Sequence, residues 1–169
     1  ASDRAADDIF GAALAVSGST IVVTAWWDDV GGSVDQGSAY VFTRQGNTWG
    51  QEKALLAPDG GANGSFGNAI SLSGDTLVVA DAWTDVGANT DQGAVYVFAR
   101  NRGGVDTWGL VKRLTASDAA DSDYFGYSVS IDEDTLVVGT HRADVGCNGN
   151  QGAAYVFARN NGGSNHWGE

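Results

Sequence analysis

Short apolar runs alternate along the chain with polar, glycine-rich intervals, a pattern of short strands joined by tight turns. Four such runs stand out in the middle third: Phe66 to Leu72, Thr76 to Ala80, Ala94 to Ala99 and Leu110 to Thr115. Ser73-Gly74-Asp75 punctuates the first connection as a hairpin turn, and Gly103-Gly104 falls in the third. The inner runs, Leu77-Val78-Val79 and Val95-Tyr96-Val97-Phe98, do not alternate with polar residues. A sheet with one wet face should alternate, so these strands are expected to be covered on both sides. The fourth run carries charge, with Lys53 in one copy and Lys112-Arg113 in the next, which suits an outer strand that resists pairing with other chains.

The pattern recurs three times. Phe10-Gly11, Phe66-Gly67 and Phe125-Gly126 are spaced by 56 and 59 residues. Gln36-Gly37, Gln92-Gly93 and Gln151-Gly152 keep the same spacings, as do the Tyr-Val-Phe triplets starting at Tyr40, Tyr96 and Tyr155. Trp49-Gly50, Trp108-Gly109 and Trp167-Gly168 recur at 59 and 59. Units of this length, with buried inner strands and a charged outer strand, predict an all-β fold. The expected form is a β-propeller of four-stranded antiparallel blades, three of them in this chain. A β-sandwich is the structural alternative, but it does not account for a blade-length repeat. The repeats run over approximately 1–57, 58–116 and 117–169, the last expected to lack its outer strand.

Asp-x-Phe-Gly, then Ser-Gly-Asp-Thr-Leu-Val-Val, then Gln-Gly-Ala-x-Tyr-Val-Phe resembles the FG-GAP repeat found in integrin α heads and bacterial surface proteins. The resemblance covers essentially the whole chain. It implies a propeller, a place outside the cell, and a role in binding or adhesion. Two departures accompany it. The Gly-Ala-Pro positions read Val23-Thr24-Ala25, Val79-Ala80-Asp81 and Val138-Gly139-Thr140. The loop that holds calcium in the family is here only Ser17-Gly18-Ser19, Ser73-Gly74-Asp75 or Asp132-Glu133-Asp134, too short to surround that ion.

Composition changes the picture in three ways. The net charge of −12 argues against nucleic acid, which needs Lys and Arg clusters. No apolar run reaches the length of a membrane span. The single Cys147 excludes an internal disulfide and a cysteine metal cluster.

The long connections are those between the second and third strands and those between blades, which share one face of a propeller. Trp26, Trp27, Asp28, Trp83, Thr84, His141 and Arg142 open the former and are the ligand-binding candidates, aromatics for stacking beside carboxylates. Trp27, Thr84 and Arg142 are read as varying positions suited to specificity. Asp29, Asp85 and Asp144 recur in Asp-Val-Gly and are expected to hold turn amides. Between blades, Asp3, Asp7 and Asp8, and again Asp118, Asp121 and Asp123, are close enough in sequence to share an ion. Calcium is therefore the one cofactor left open, against the plainer reading of solvated loops. No catalytic set emerges: neither His141 nor His166 has a sequence-evident triad partner.

Three blades do not close a ring, so the expected partners include further blades, from the same chain or a second copy, in a ring of six or seven. The reading is an extracellular binding or adhesion module, not an enzyme, for a protein or glycan. Its alternatives are a self-assembling structural protein and a polysaccharide hydrolase or lyase.

Overall fold

The computed structural model describes residues 5–163 and 166–169. Every regular element among them is a β-strand. The first sheet is β1 (Phe10–Ser17), β2 (Thr20–Ala25), β3 (Ser38–Gln45) and β4 (Thr48–Leu55). The second is β5 (Ile70–Ser73), β6 (Thr76–Asp81), β7 (Ala94–Arg100) and β8 (Trp108–Leu114). The third is β9 (Ser128–Asp132), β10 (Thr135–Thr140), β11 (Ala153–Arg159) and β12 (Trp167–Gly168). Each is an antiparallel meander in chain order, with neighbours joined by hydrogen bonds. These are three blades of a β-propeller.

Both faces of the middle blade are covered, and the side-chain period of two explains how. Leu77 and Val79 of β6, with Tyr96 and Phe98 of β7, join a cluster with Val22, Val41 and Leu55 of the first blade. Val78, Val95 and Val97, the alternate residues, join Leu136, Val138 and Phe157 of the third. The Phe of the second and third Phe-Gly pairs is the wedge between blades. Phe66 meets Tyr96 and Phe98 edge-on at 5.5 and 6.2 Å, and Phe125 meets Tyr155 and Phe157 at 5.5 and 6.0 Å. Burying one such ring contributes about 1.5–3 kcal/mol.

Three expectations are adjusted. The innermost strand of the second blade starts at Ile70, not Phe66, because Phe66-Gly67 lies in a turn closed by Asn68 N–H donating to Ser65 O at 3.1 Å. The outer strand starts earlier than Leu110, since Trp108 already pairs with Arg100 and stacks under its guanidinium at 5.2 Å. In the third blade the outer position is not vacant: Trp167 and Gly168 pair with Arg159 and Ala158.

The outer-strand lysines do more than deter pairing. Lys53 Nζ donates to Trp108 O of the next blade at 2.8 Å, and Lys112 Nζ to Trp167 O at 2.5 Å. Charge on this strand ties blades together.

Candidate functional site

The loops between second and third strands are built alike in all three blades. A small antiparallel bridge stiffens each one, at Val30–Ser33, Val86–Asn89 and Val145–Asn148. The Asp of each Asp-Val-Gly then accepts an amide six residues on. Asp29 Oδ1 takes Asp35 N–H at 2.9 Å, Asp85 Oδ1 takes Asp91 N–H at 2.9 Å, and Asp144 Oδ1 takes Asn150 N–H at 2.6 Å. These carboxylates hold turn amides, as their recurrence suggests.

The first two loops also clasp the connection to the following blade. Asn63 N–H donates to Val34 O at 2.8 Å and Ser65 N–H to Asp35 O at 3.1 Å. One blade on, Ser122 N–H donates to Thr90 O at 2.8 Å and Tyr124 N–H to Asp91 O at 3.1 Å. The two kinds of long connection therefore do form one face.

The bridges also fix which loop residues are equivalent. Trp27, Trp83 and Arg142 occupy one position, and Asp28, Thr84 and Ala143 the next. Reading Trp27, Thr84 and Arg142 as a set was off by one residue in the middle blade. Asp28 and Thr84 are both buried, Thr84 at the edge of the polar cleft beside Trp83. Asp28 Oδ2 accepts the hydroxyls of Ser38 and, at 2.7 Å, Tyr40, while the Asp28 and Thr84 carbonyls accept Gly37 N–H and Gly93 N–H.

The other five candidates come together. Trp27 stacks on Trp26 at 6.3 Å, and Trp26 meets Trp83 edge-on at 5.7 Å. Trp83 touches Tyr124 at 5.8 Å and Tyr127 at 6.4 Å. Those two flank His141, at 5.5 and 4.0 Å, and the Arg142 guanidinium lies 5.0 Å above Tyr124. A continuous aromatic row thus crosses all three blades. Trp27, Tyr127, His141 and Arg142 are exposed, whereas Trp26, Trp83 and Tyr124 are half-buried beneath them. The indole N–H of Trp26 is buried without an acceptor among the described residues.

Tyr124 and Tyr127 were missed by sequence reading. They flank the Phe125-Gly126 landmark, which draws attention to itself. Their repeat equivalents, Ile9 with Ala12 and Ser65 with Asn68, share no aromatic character. Tyr124 reaches the row from a left-handed backbone, φ 58°, a conformation shared by Ile9 at 52° and Ser65 at 66°. The turn imposes it, and a side chain there is aimed at the loop face.

Two clefts flank Trp83. One, of about 300 Å³, is lined by Trp26, Trp27, Asp35, Asn63, Ser65 and Trp83. The other, of about 320 Å³, is polar and includes Asp59, Asn63, Thr84, Asp85 and Asp91. Burial, then the neighbouring Asp85, raises the Asp91 carboxyl above its ordinary range. The face therefore offers flat apolar rings next to hydrogen-bond acceptors. That mixture suits a sugar ring or an aromatic-anchored protein contact.

The described aspartates between blades are taken up in separate bonds. Asp118 Oδ1 accepts Tyr155 O–H at 2.7 Å, Asp121 Oδ1 accepts Thr90 N–H at 2.9 Å, and Asp123 Oδ2 accepts Ala120 N–H at 2.7 Å. Each serves a separate structural bond. Asp8 repeats the last of these by accepting Ala5 N–H at 2.6 Å, while Asp7 is exposed at φ 70°. Asp3 lies outside the described residues. Among the described residues no three acidic, His or Cys side chains converge to hold an ion.

The middle blade replaces this aspartate by Gly64, and its carboxylate arrives from the other side. Asp81, at the end of β6, is fully buried, and a Cβ on Gly64 would lie 3.0 Å from its Oδ2. Desolvation first, and the Asp59 charge second, push the Asp81 carboxyl well above the usual carboxylate range. Arg113 and the amides of Thr84 and Trp83 pull it partly back, but neither oxygen gains a hydrogen bond of full geometry. Arg113 is itself committed to Asp59 at 2.9 Å.

The sequence model of the FG-GAP repeat matches this chain three times, at residues 1–42, 49–98 and 108–157, the second and third matches each running from the outer strand of one blade into the third strand of the next. No curated protein matches the chain.

Proposed function

We propose, from the premise that the chain belongs to the FG-GAP repeat family, that it is a binding module working outside the cell. It takes a protein or glycan on its long-loop face. The observation that carries this reading is the aromatic row from Trp27 to His141, built from three blades and exposed along its crest. Exposed Trp and Tyr supply large contact areas with few rotors to freeze, and together with Arg they are enriched in binding hot spots. The family supports the extracellular placement, and among the described residues no helix is long and apolar enough to cross a membrane.

Binding is favoured over catalysis because four carboxylates of this face, Asp28, Asp29, Asp85 and Asp144, are engaged in structural bonds. Asp28 holds Ser38 and Tyr40, and Asp29, Asp85 and Asp144 hold loop amides. His141 packs on Tyr127 and Tyr124 with no carboxylate partner among the bonds described.

The test is a glycan array and a panel of purified cell-surface proteins, probed with the chain and with a Trp27→Ala/Tyr127→Ala/Arg142→Ala variant. The substituted side chains are exposed, so the thermal midpoint should stay within a few degrees. Retained ligands should bind the variant at least ~30-fold more weakly, about 2 kcal/mol. Equal binding by both proteins would move the site off this face.

A further inference from the structure

The connections into the second and third blades each hold one residue at positive φ beside the aromatic row, Ser65 and Tyr124. They are repeat equivalents, but their sizes differ greatly. At the second joint the Tyr124 ring lies 5.8 Å from Trp83 and 5.5 Å from His141, and so takes up the space beside Trp83. At the first joint Ser65 stands in that place, next to Trp27, the equivalent of Trp83. A hydroxymethyl group where the next joint has a phenol leaves the space open as the cleft of about 300 Å³. Its walls come from the first and second blades, which pack against each other through a shared core.

Flat apolar walls and free polar groups meet in this cleft. Trp26 and Trp83 stand at 73° to each other, so their rings form two walls close to a right angle. Asp35 and Asn63 complete the lining. Their backbone N–H groups are used, by Asp29 and by Val34 O. Among the described residues, neither side chain has a hydrogen-bond partner. A carboxylate only accepts, whereas a primary amide both donates and accepts. A pyranose has the matching surface, with C–H bonds on one ring face and hydroxyls around its rim. The size agrees, since pockets for small ligands begin at about 300 Å³. Charge narrows the class further. Asp35 here, and Asp85 and Asp91 in the adjoining cleft, share one sign in a chain of net charge −12. That field opposes carboxylated and sulfated sugars and admits uncharged ones.

We propose that this cleft is the subsite for one uncharged pyranose unit, with its ring face against an indole and its hydroxyls bonded to Asp35 and Asn63. The proposal rests on the reading of the long-loop face as a binding surface, and it commits that face to a glycan. The second joint, filled by Tyr124, supplies contact area but no such pocket.

Two variants test this, and both copy residues that the chain already holds at equivalent positions. Ser65→Tyr fills the cleft as Tyr124 fills the second joint, and Asp35→Asn reproduces Asn150. Both should therefore fold, with thermal midpoints close to the parent's. Tryptophan fluorescence is titrated with neutral hexasaccharides of glucose, xylose, mannose, galactose and N-acetylglucosamine, and with hexagalacturonate. The parent should bind at least one neutral probe and not hexagalacturonate. Ser65→Tyr should weaken that binding at least ~30-fold, and Asp35→Asn roughly 10-fold. Binding that survives Ser65→Tyr but is lost in the Trp27→Ala/Tyr127→Ala/Arg142→Ala variant overturns the subsite and leaves the face. A parent that takes no neutral probe, or prefers hexagalacturonate, overturns the uncharged sugar, whether or not proteins bind the face. A ligand bound equally by the parent and the triple variant overturns the face and the subsite together.

Discussion

Gly37 in the first blade and Phe66 at the start of the second approach so closely that a Cβ on Gly37 would sit 2.3 Å from the Phe66 carbonyl oxygen. Gln36 O accepts Phe66 N–H at 3.0 Å beside it. Gly93 and Phe125 repeat the relationship at 2.2 Å, with Gln92 O accepting Phe125 N–H at 2.8 Å. The Gln-Gly and Phe-Gly landmarks are thus two halves of one contact between successive blades.

Gly37→Ala should therefore be costly. Gly37 has φ +82°, and the added methyl meets rigid backbone. The two penalties together come to about 2–4 kcal/mol. Gly18→Ala is the control, since Gly18 has φ +56° but nothing within 4 Å, and only the backbone cost of about 1 kcal/mol applies. Urea unfolding of both variants should separate them by at least ~1 kcal/mol; equal midpoints would refute the close-contact argument.

Asp81 should make stability depend on pH. Its folded carboxyl is raised, so the folded chain holds the proton more tightly than the unfolded one. The stabilising contribution is complete below the unfolded value of about 3.9 and is lost as pH rises through the raised folded value. Asp81→Asn removes this dependence. Its thermal midpoint should match the parent near the acid end and exceed it at neutral pH. A variant less stable than the parent at neutral pH would mean that the charged carboxylate makes a favourable bond.

Tyr155 should remain un-ionised wherever the chain is folded. Burial, followed by its bond to Asp118, raises the phenol well above its ordinary value, and Tyr96 is raised similarly beside Asp59. Tyr155→Phe should cost about 1 kcal/mol, one hydrogen bond. In an alkaline absorbance titration both phenols should ionise only with unfolding. Early ionisation of two tyrosines in the folded chain, absent from a Tyr96→Phe/Tyr155→Phe variant, would contradict the burial argument.

Calcium should leave the third blade unaffected, because Asp118, Asp121 and Asp123 are bound to three different partners. Thermal melts with calcium and then with chelator should coincide. A midpoint raised by calcium and abolished by Asp121→Ala would show that the ion rearranges that connection.

The fold was legible because its signal is repeated and local. Non-alternating runs such as Leu77-Val78-Val79 need two covered faces, and the interval between landmarks matches a four-stranded blade. The recurring Asp-Val-Gly likewise disclosed its own turn-holding role. The site was only half legible. Trp26, Trp27, Trp83, His141 and Arg142 could be placed on one face, but their joining depends on Tyr124 and Tyr127, whose equivalents are not aromatic. Burial of Asp28 and Thr84 was hidden because it is set by the neighbouring strand and Tyr40, not by loop composition. Clustered aspartates left calcium open for a related reason: closeness along a chain does not fix which way carboxylates point.

The Gln-Gly to Phe-Gly contact bears on how such a chain can grow. Phe-Gly stands at the entry of every repeat and Gln-Gly just before its third strand, so each unit carries the plug for the unit before it and the socket for the unit after. Duplicating one whole repeat inserts a blade whose fittings already match both neighbours. A duplication out of frame with the repeat would leave plugs without sockets, so length in this architecture changes by whole blades.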